Sequence, residues 1–249
     1  MNNAQTFSQS SGQYAKHRPR YPEELFAYLN EICTGHDLAW DCATGTGQAA
    51  VSLSNYFKKV EATDISKEQI KNAIGNPKVS YSVSPAEQTS FGSESFDVVT
   101  VATAIHWFDQ QKFFEEVNRV LKPAGVFAIW AYGFFEIEPE IDKIIFEELL
   151  KPIDIFWAEG NRQVMNGYKD LVMPFVEIHT NPSFNIHLEW DRNQLLAYLG
   201  TWSAVKRYLA EVGTNPLERL EEKLNSVWGE ASLIKPVRMP IAFRASRKT

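Results

Sequence analysis

The sequence predicts an α/β protein built on a doubly wound sheet, followed by a C-terminal part that is mostly helical. Three observations favour this fold. Short apolar runs alternate with segments of helical periodicity between about residues 22 and 131, a glycine-rich segment follows the first run, and the alternation ends near residue 134. Alternating strands and helices are typical of crossover units in a parallel sheet, whose ligands gather outside the carboxyl ends of the strands.

The elements of the first half follow in order along the chain. Pro22, followed by two acids, predicts the start of a helix, since proline and acidic residues favour a helix N-terminus. The glycine-rich segment opens a second helix, and Ser66 with Gln69 forms a capping box for a third. A fourth helix is expected over 109–121, before a turn over 122–125. The five predicted strands cover residues 38–42, 59–63, 79–83, 96–102 and 126–131.

The second half of the chain has a different pattern. A helix is expected over 138–150, alternating residues predict extended chain over 176–190, and a helix around Leu220 is amphipathic. A last strand over 239–246 is expected to return to the sheet. The chain is thereby divided into an N-terminal lid with the first helix (1–35), a cofactor-binding core (36–133), a substrate-side cap (134–235) and the final strand (236–249).

Composition and charge exclude several classes of protein. The 249 residues include 31 acids and 25 lysines and arginines, a formal charge of -6, which disfavours nucleic acid as a partner. No apolar run approaches the roughly 20 residues of a membrane span, and no secretory signal begins the chain, so we expect a cytoplasmic protein with no membrane partner. Two cysteines are too few for a disulfide framework, and four scattered histidines lack the spacing of metal ligands, so no metal is predicted.

The chemistry concentrates where predicted strands end. The segment Asp41-Cys-Ala-Thr-Gly45-Thr-Gly47 leads into a helix, where glycines let the backbone approach a ligand and the helix N-terminus offers amide N–H groups. This loop alone also fits an ordinary tight turn or the loose fingerprint of a dinucleotide-binding protein. Asp64 ends the second strand 17 residues after Gly47, where an acid can bind a ribose diol.

An ordered set of motifs resembles the class I S-adenosylmethionine-dependent methyltransferases with a methyltransferase type 11 domain, over most of the chain. Residues 41–47 match the glycine-rich motif of that family, Asp64 its ribose-binding acid, 84–87 its adenine loop, 96–99 its fourth strand and 119–125 the turn before the fifth. The resemblance implies a Rossmann-like methyltransferase sheet and S-adenosylmethionine as cofactor. The cofactor-binding residues that it implies are Asp41, Ala43, Thr44, Gly45, Gly47, Asp64, Ile65, Ala86, Glu87 and Thr103.

Two further segments resemble the branch that includes trans-aconitate methyltransferases. They are Ala104-Ile105-His106-Trp107-Phe108-Asp109 and Tyr14-x-x-x-Arg18-Pro19-x-Tyr21-Pro22. The resemblance implies a small-molecule acceptor, with a carboxylate as one candidate. The N-terminal segment is expected either to form a lid in which Arg18 pairs with an anionic substrate, or only to pack on the surface. The predicted substrate residues are Tyr14, Arg18, Tyr21, Trp107 and Trp202.

The implied reaction is in-line displacement at a sulfonium methyl, for which positioning alone can supply about 7–11 kcal/mol. A hydroxyl or amine acceptor is helped by a base, and His106, just past the fourth strand, is the candidate catalytic residue. The alternative is that His106 only packs or hydrogen-bonds beside the cofactor.

Two departures from the family pattern keep other functions open. Ala43 stands in place of the usual first glycine, and an alanine is tolerated there if its φ is negative. Pro85 stands where an acid often precedes Ala86. One alternative is a binding protein shaped like a methyltransferase but without turnover. The other is an NAD-dependent oxidoreductase, which would share the glycine loop and Asp64. The acceptor, the methylated atom and the oligomeric state stay open.

Overall fold

A mixed sheet of eight strands organises the chain, which a computed structural model describes for residues 19–179 and 182–249. In chain order, its strands are β1 (Leu38–Cys42), β2 (Lys59–Asp64), β3 (Val79–Val83), β4 (Phe96–Ala102), β5 (Leu121–Tyr132), β6 (Val176–Ile178), β7 (Phe184–Trp190) and β8 (Lys235–Arg247). The helices are α1 (Glu23–Ile32), α2 (Gln48–Leu53), α3 (Lys67–Lys71), α4 (Gln110–Val120), α5 (Pro139–Ile145), α6 (Lys151–Ile153), α7 (Glu159–Met165), α8 (Arg192–Gly200), α9 (Ser203–Val212) and α10 (Pro216–Leu224). A π-helical turn (Phe146–Leu150) joins α5 to α6.

The predicted doubly wound α/β fold, with a mostly helical C-terminal part, is confirmed. The strand order is β3-β2-β1-β4-β5-β8-β6, with β7 also paired to β8. Strands β1 to β5 are parallel, and β8 runs antiparallel to β5. The chain therefore winds outward from β1 to β3 and then returns to start the other half of the sheet at β4, beside β1.

Both faces of the central strands are buried, which explains why the sequence of β4 is a continuous apolar run rather than an alternating one. Val98 packs in the hydrophobic cluster that contains Leu25 of α1, whereas its neighbour Val99 packs with Phe113 of α4. Successive side chains of a strand point to opposite faces, so β4 joins two helical layers.

The predicted turn over 122–125 is wrong, because these residues form the beginning of β5. The N–H of Ala124 donates to the carbonyl of Lys248 at 3.0 Å, and the N–H of Lys248 donates to the carbonyl of Gly125 at 3.0 Å. Ala124 has a positive φ of 61°, and the β4–β5 register shifts between Phe96 and Val98. A turn-like local conformation is thus held in the sheet by the distant C-terminus.

The final strand is confirmed and is longer than predicted, with 13 residues. Residues 241–247 of β8 pair with β5, while β6 and β7 pair along its opposite edge. The extended chain predicted over 176–190 therefore forms two strands of the same sheet. Residues 180 and 181 between them lie outside the described ranges.

Candidate functional site

The candidate site lies at the carboxyl ends of β1 and β4, where the direction of winding reverses. Neighbouring parallel strands whose connections leave toward opposite sides of the sheet create a crevice at this point. The crevice is lined by the loop after β1, including Ala43 and Gly45, by Ala102 at the end of β4, and by the rings of Tyr21 and Tyr132. The structure thus brings Tyr21, a predicted substrate residue, next to the glycine-rich loop.

The loop between β1 and α2 follows a left-handed path. The φ angles are 54° at Ala43, 57° at Gly45 and 87° at Gly47. The condition under which an alanine is tolerated here without strain, a negative φ, is therefore not met, and Ala43 adopts a conformation that glycine enters without steric cost. The N–H of Thr44 donates to the carbonyl of Thr63 at 2.9 Å, which ties the loop to β2.

Asp41 supports this loop from inside the protein. Its side chain is almost fully buried, and its two carboxylate oxygens accept hydrogen bonds from the hydroxyls of Thr44 at 2.5 Å and Thr100 at 2.9 Å. Burial raises the pKa of Asp41 to about 6, although these hydrogen bonds act in the opposite direction. Asp41 therefore connects the loop to β4.

Asp64 connects the end of β2 to the same loop. One carboxylate oxygen accepts from the N–H of Gly45 at 2.9 Å, and the other accepts from the N–H of Ser66 at 2.8 Å. Ser66 itself caps α3, because its hydroxyl accepts from the N–H of Gln69 at 3.3 Å. A carboxylate accepts hydrogen bonds at about four positions and donates none, which is the chemistry that recognition of a diol requires.

The residues predicted beside adenine follow β2 and β3. Ile65 is 62% exposed, an unusual position for a large aliphatic side chain next to a polar loop, and it offers an apolar surface to a ring. Ala86 is buried. A carboxylate oxygen of Glu87 accepts from the N–H of Asp109 at 3.1 Å, so Glu87 also holds the start of α4.

Thr103 lies just past β4, on the opposite wall of the crevice. Its φ is 54°, and its N–H donates to the carbonyl of Trp130 at 2.7 Å. The hydroxyls of Thr103 and Tyr21 are 3.3 Å apart, within hydrogen-bond distance. The Tyr21 ring meets the Trp130 ring edge-on, with 5.6 Å between centroids, so the chain that precedes α1 is anchored to the crevice.

His106 and Trp107 form a short 3-10 turn after β4 (Ile105–Trp107), with 4.7 Å between their ring centroids. Nδ1 of His106 is 2.9 Å from the hydroxyl of Tyr168. Burial lowers the pKa of His106 to about 4, so its imidazole is neutral at physiological pH. Sequence reasoning missed Tyr168, because it lies 62 residues away in an irregular segment with no local pattern to mark it.

Trp202 belongs to an aromatic cluster of the C-terminal part. Its ring centroid is 5.5 Å from that of Trp157, 5.9 Å from that of Tyr198 and 6.0 Å from that of Phe134, which follows β5. The structure therefore places Trp202 with the chain that leaves β5, while the ring of Trp107 lies tilted against that of His106 after β4. The predicted substrate residues Tyr14 and Arg18 lie outside the described residues.

The described part of the chain holds neither a metal-binding cluster nor a membrane-spanning helix. No group of three or more histidine, cysteine, aspartate or glutamate side chains is arranged to hold a metal ion in residues 19–179 and 182–249. Within the same ranges, no helix has the length and apolar character needed to cross a membrane.

Comparisons with known proteins agree with this geometry. Residues 40–129 match the methyltransferase domain family. A Dictyostelium discoideum protein that carries the name methyltransferase is 32% identical over 250 residues, covering 97% of this chain and 94% of that protein. A Saccharomyces cerevisiae protein named as an S-adenosylmethionine-dependent methyltransferase is 30% identical over 162 residues, covering 60% of this chain and 52% of that protein.

A solved structure extends the likeness to the whole fold. A protein from Anaeromyxobacter dehalogenans, described as a type II methyltransferase, superposes with a TM-score of 0.87 at 38% sequence identity. The match covers 92% of this chain and 97% of that one. The C-terminal part is therefore shared with this relative, along with the sheet.

Proposed function

Because the chain belongs to the family of S-adenosylmethionine-dependent methyltransferases, we propose that it transfers a methyl group to a small-molecule carboxylate. The observation that carries this proposal is the crevice at the ends of β1 and β4, which is lined by the glycine-rich loop, by Ala102 and by the rings of Tyr21 and Tyr132. S-adenosylmethionine supplies the activated methyl group, so the protein must bind, orient and exclude water.

Different residues in and around the crevice bind different parts of the cofactor in this proposal. The loop from Ala43 to Gly47 presents backbone to the methionine part, and Asp64 accepts hydrogen bonds from the ribose hydroxyls. Exposed Ile65 and buried Ala86 give adenine an apolar contact. Asp41 and Glu87 act as supports, since the carboxylate oxygens of both accept hydrogen bonds from neighbouring protein groups. Thr103, predicted to bind the cofactor, has its hydroxyl 3.3 Å from that of Tyr21, so it also lies beside a predicted acceptor residue.

The environment of His106 favours an acceptor that needs no base. A general base works best when its pKa lies near the working pH, and the pKa of His106 is about 4. A carboxylate has an ordinary pKa near 4 and is already ionised at neutral pH. An anionic oxygen that gains a methyl group becomes a neutral ester without losing a proton. Base catalysis by His106 remains the proposal for a hydroxyl or amine acceptor.

The N-terminal segment is proposed to form a lid. The chain is also proposed to belong to the branch that includes trans-aconitate methyltransferases. The support for a lid is that Pro19 and Tyr21, which directly follow this segment in sequence, line the crevice. Arg18, beside Pro19 in sequence, supplies a cation for an anionic acceptor. The division of the chain into lid, core, cap and final strand follows the same proposal, as does a cytoplasmic location.

A cofactor experiment separates this function from the alternative of an NAD-dependent oxidoreductase. S-adenosylhomocysteine at 100 times its dissociation constant should stabilise the protein by about 2.7 kcal/mol, seen as a rise in melting temperature. NAD should give no rise. Stabilisation by NAD alone would contradict the assignment.

A turnover experiment tests the acceptor class. Small carboxylic acids and their matched primary amides are incubated with labelled S-adenosylmethionine, and we expect methyl incorporation into the acids only. Arg18→Ala should impair turnover of acids while leaving cofactor affinity unchanged. Methylation of amides as fast as acids would contradict the carboxylate, and absence of turnover with every acceptor would favour a non-catalytic binding protein.

A further inference from the structure

A buried tyrosine from the C-terminal part reaches the imidazole of His106. The hydroxyl of Tyr168 lies 2.9 Å from Nδ1, and the two rings stack with centroids 6.1 Å apart and planes at 30°. Tyr168 is only 2% exposed and packs in the hydrophobic cluster that contains Met173 and Phe113. This contact joins the turn after β4 to a segment that follows α7.

The backbone of Tyr168 is strained, and distant residues hold it in place. Its φ is 56°, directly after Gly167 at 63°, and a left-handed conformation is a true outlier for a bulky side chain. The N–H of Tyr168 donates to the carbonyl of Gln163 at 2.9 Å. Its own carbonyl accepts from the guanidinium of Arg244 on β8, which also donates to the carbonyl of Leu171 at 2.6 Å. Such strain costs about 1–3 kcal/mol and tends to persist at functional sites.

His106 is also held from its other side. A Cβ atom added to Gly160 of α7 would lie 3.0 Å from the carbonyl oxygen of His106 and 3.1 Å from its Cδ2. A side chain at this position would therefore press on His106 and require it to shift. The next residue, Asn161, has a buried side-chain oxygen without a hydrogen-bond partner in the described part of the chain.

The direction of the hydrogen bond between the Tyr168 hydroxyl and Nδ1 of His106 follows from the partners available to each group. Within residues 19–179 and 182–249, the hydroxyl of Tyr168 has one partner, Nδ1 of His106. If Nδ1 carried the proton, the buried phenol proton would have no acceptor, which costs about 1–3 kcal/mol. If the phenol donates, its proton is satisfied and Nδ1 is the acceptor. A neutral imidazole with Nδ1 as acceptor carries its proton on Nε2.

We propose that Tyr168 is a positioning residue that donates its phenol proton to Nδ1 of His106, so that His106 presents Nε2–H to an oxygen of the methyl acceptor. His106 is then a neutral hydrogen-bond donor that orients an anionic acceptor, rather than a base that removes a proton. The role toward the acceptor rests on the proposed function, whereas the Tyr168–His106 hydrogen bond does not.

Nitrogen NMR of the full-length protein tests the hydrogen bond without any turnover. In protein labelled with ¹⁵N-histidine, with His106 assigned by its loss in His106→Gln, we expect a protonated Nε2 and an unprotonated Nδ1 shifted by hydrogen bonding. In Tyr168→Phe, the Nδ1 resonance should move to the position of a nitrogen without a hydrogen bond. Tyr21→Phe, which removes a hydroxyl bonded to Thr103 instead, should leave it unchanged. A proton on Nδ1, or an Nδ1 resonance that Tyr168→Phe does not move, would overturn the proposal.

Two substitutions at His106 test the role of Nε2–H in turnover. The amide of glutamine reaches the place of Nε2–H, whereas the shorter amide of asparagine does not. We expect His106→Asn to lower kcat/KM for a carboxylate acceptor by about 10- to 150-fold, the range for a hydrogen bond to a charged group, with His106→Gln retaining most of the activity. Equal losses in both variants would overturn the donor role. Failure of the proposed function is seen separately, as absence of turnover by the wild type, and the NMR result then still decides the role of Tyr168.

Discussion

The two walls of the crevice are built in different ways. On the proposed cofactor wall, two contacts of the glycine-rich loop join Thr44 to Asp41, 3 residues apart, and Gly45 to Asp64, 19 apart, and one longer contact joins Asp41 to Thr100, 59 apart. On the acceptor wall, Tyr21 reaches Thr103 across 82 residues, and His106 reaches Tyr168 across 62. Under the proposed assignment, the cofactor loop is therefore held mostly by residues near it in sequence, whereas the acceptor side depends on contacts between distant segments of the chain.

The walls also differ in how they hold a left-handed backbone. The cofactor wall uses Gly45 and Gly47 together with a small alanine, whereas the acceptor wall uses Thr103 and Tyr168. Residues with a Cβ atom pay a steric cost in this conformation, which tertiary contacts must offset. We therefore expect substitutions in the two walls to have different effects on the stability of the protein and on its affinity for the cofactor.

The largest effect is expected from Gly47→Ala. A Cβ atom at Gly47 would lie 2.8 Å from ring atoms of Tyr81, whose hydroxyl donates to the carbonyl of Ile74 at 2.7 Å. Left-handed strain and displacement of this ring together should lower the free energy of unfolding by about 2–4 kcal/mol. Gly45→Ala is the matched control, because a Cβ there meets no atom within 4 Å, and it should cost only about 1 kcal/mol. Equal losses in urea denaturation would contradict this explanation.

Asp41 should make stability depend on pH. Its pKa is about 6 in the folded protein and 3.8 ordinarily, so between these values the folded state binds more protons than the unfolded state. Its stabilising contribution is therefore present at low pH and lost as pH rises through about 6, by about 3 kcal/mol at most. Relative to Asp41→Asn, the wild type should lose stability between pH 4 and 7.

The control for this prediction is Asp37, an exposed acid that directly precedes β1. A hydrogen bond from Lys58 lowers the pKa of Asp37, so Asp37→Asn should leave the loss of stability between pH 4 and 7 in place. Urea denaturation at a series of pH values measures both variants. A wild type and an Asp41→Asn variant whose stabilities stay parallel over this range would show that Asp41 is not the cause.

The smallest effect is expected from Ala43→Gly. Glycine relieves about 1 kcal/mol of left-handed strain but gives the unfolded chain more freedom, which offsets about 0.4–1 kcal/mol. The net change in unfolding free energy should lie between zero and a gain of about 0.5 kcal/mol, with unchanged affinity for S-adenosylhomocysteine. Ala104→Gly is the control, since φ is -136° there and only the loss is expected. A clear destabilisation by Ala43→Gly would mean that the Ala43 methyl group makes a contact of its own.

The same contrast explains what could be predicted from the sequence. The strands β1 to β4, the cap at Ser66 and the acid Asp64 follow from short patterns, and the structure places them as expected. The turn over 122–125 was misassigned because Lys248, at the other end of the chain, draws it into the sheet. Tyr168 carries no local signal, since its importance arises from packing against His106. Nor could the sequence indicate that Ala43 would adopt a left-handed conformation.

The assignment of one wall to the cofactor and the other to the acceptor is tested most directly by calorimetric titration with S-adenosylhomocysteine. The titration compares the wild type with Asp64→Ala and His106→Asn. The account predicts that Asp64→Ala weakens binding by about 1.5–3 kcal/mol, because a charged hydrogen-bond acceptor for ribose is lost and the N–H of Gly45 loses its partner. His106→Asn should bind as the wild type does. Unchanged binding by Asp64→Ala, together with weakened binding by His106→Asn, would contradict the assignment of the two walls.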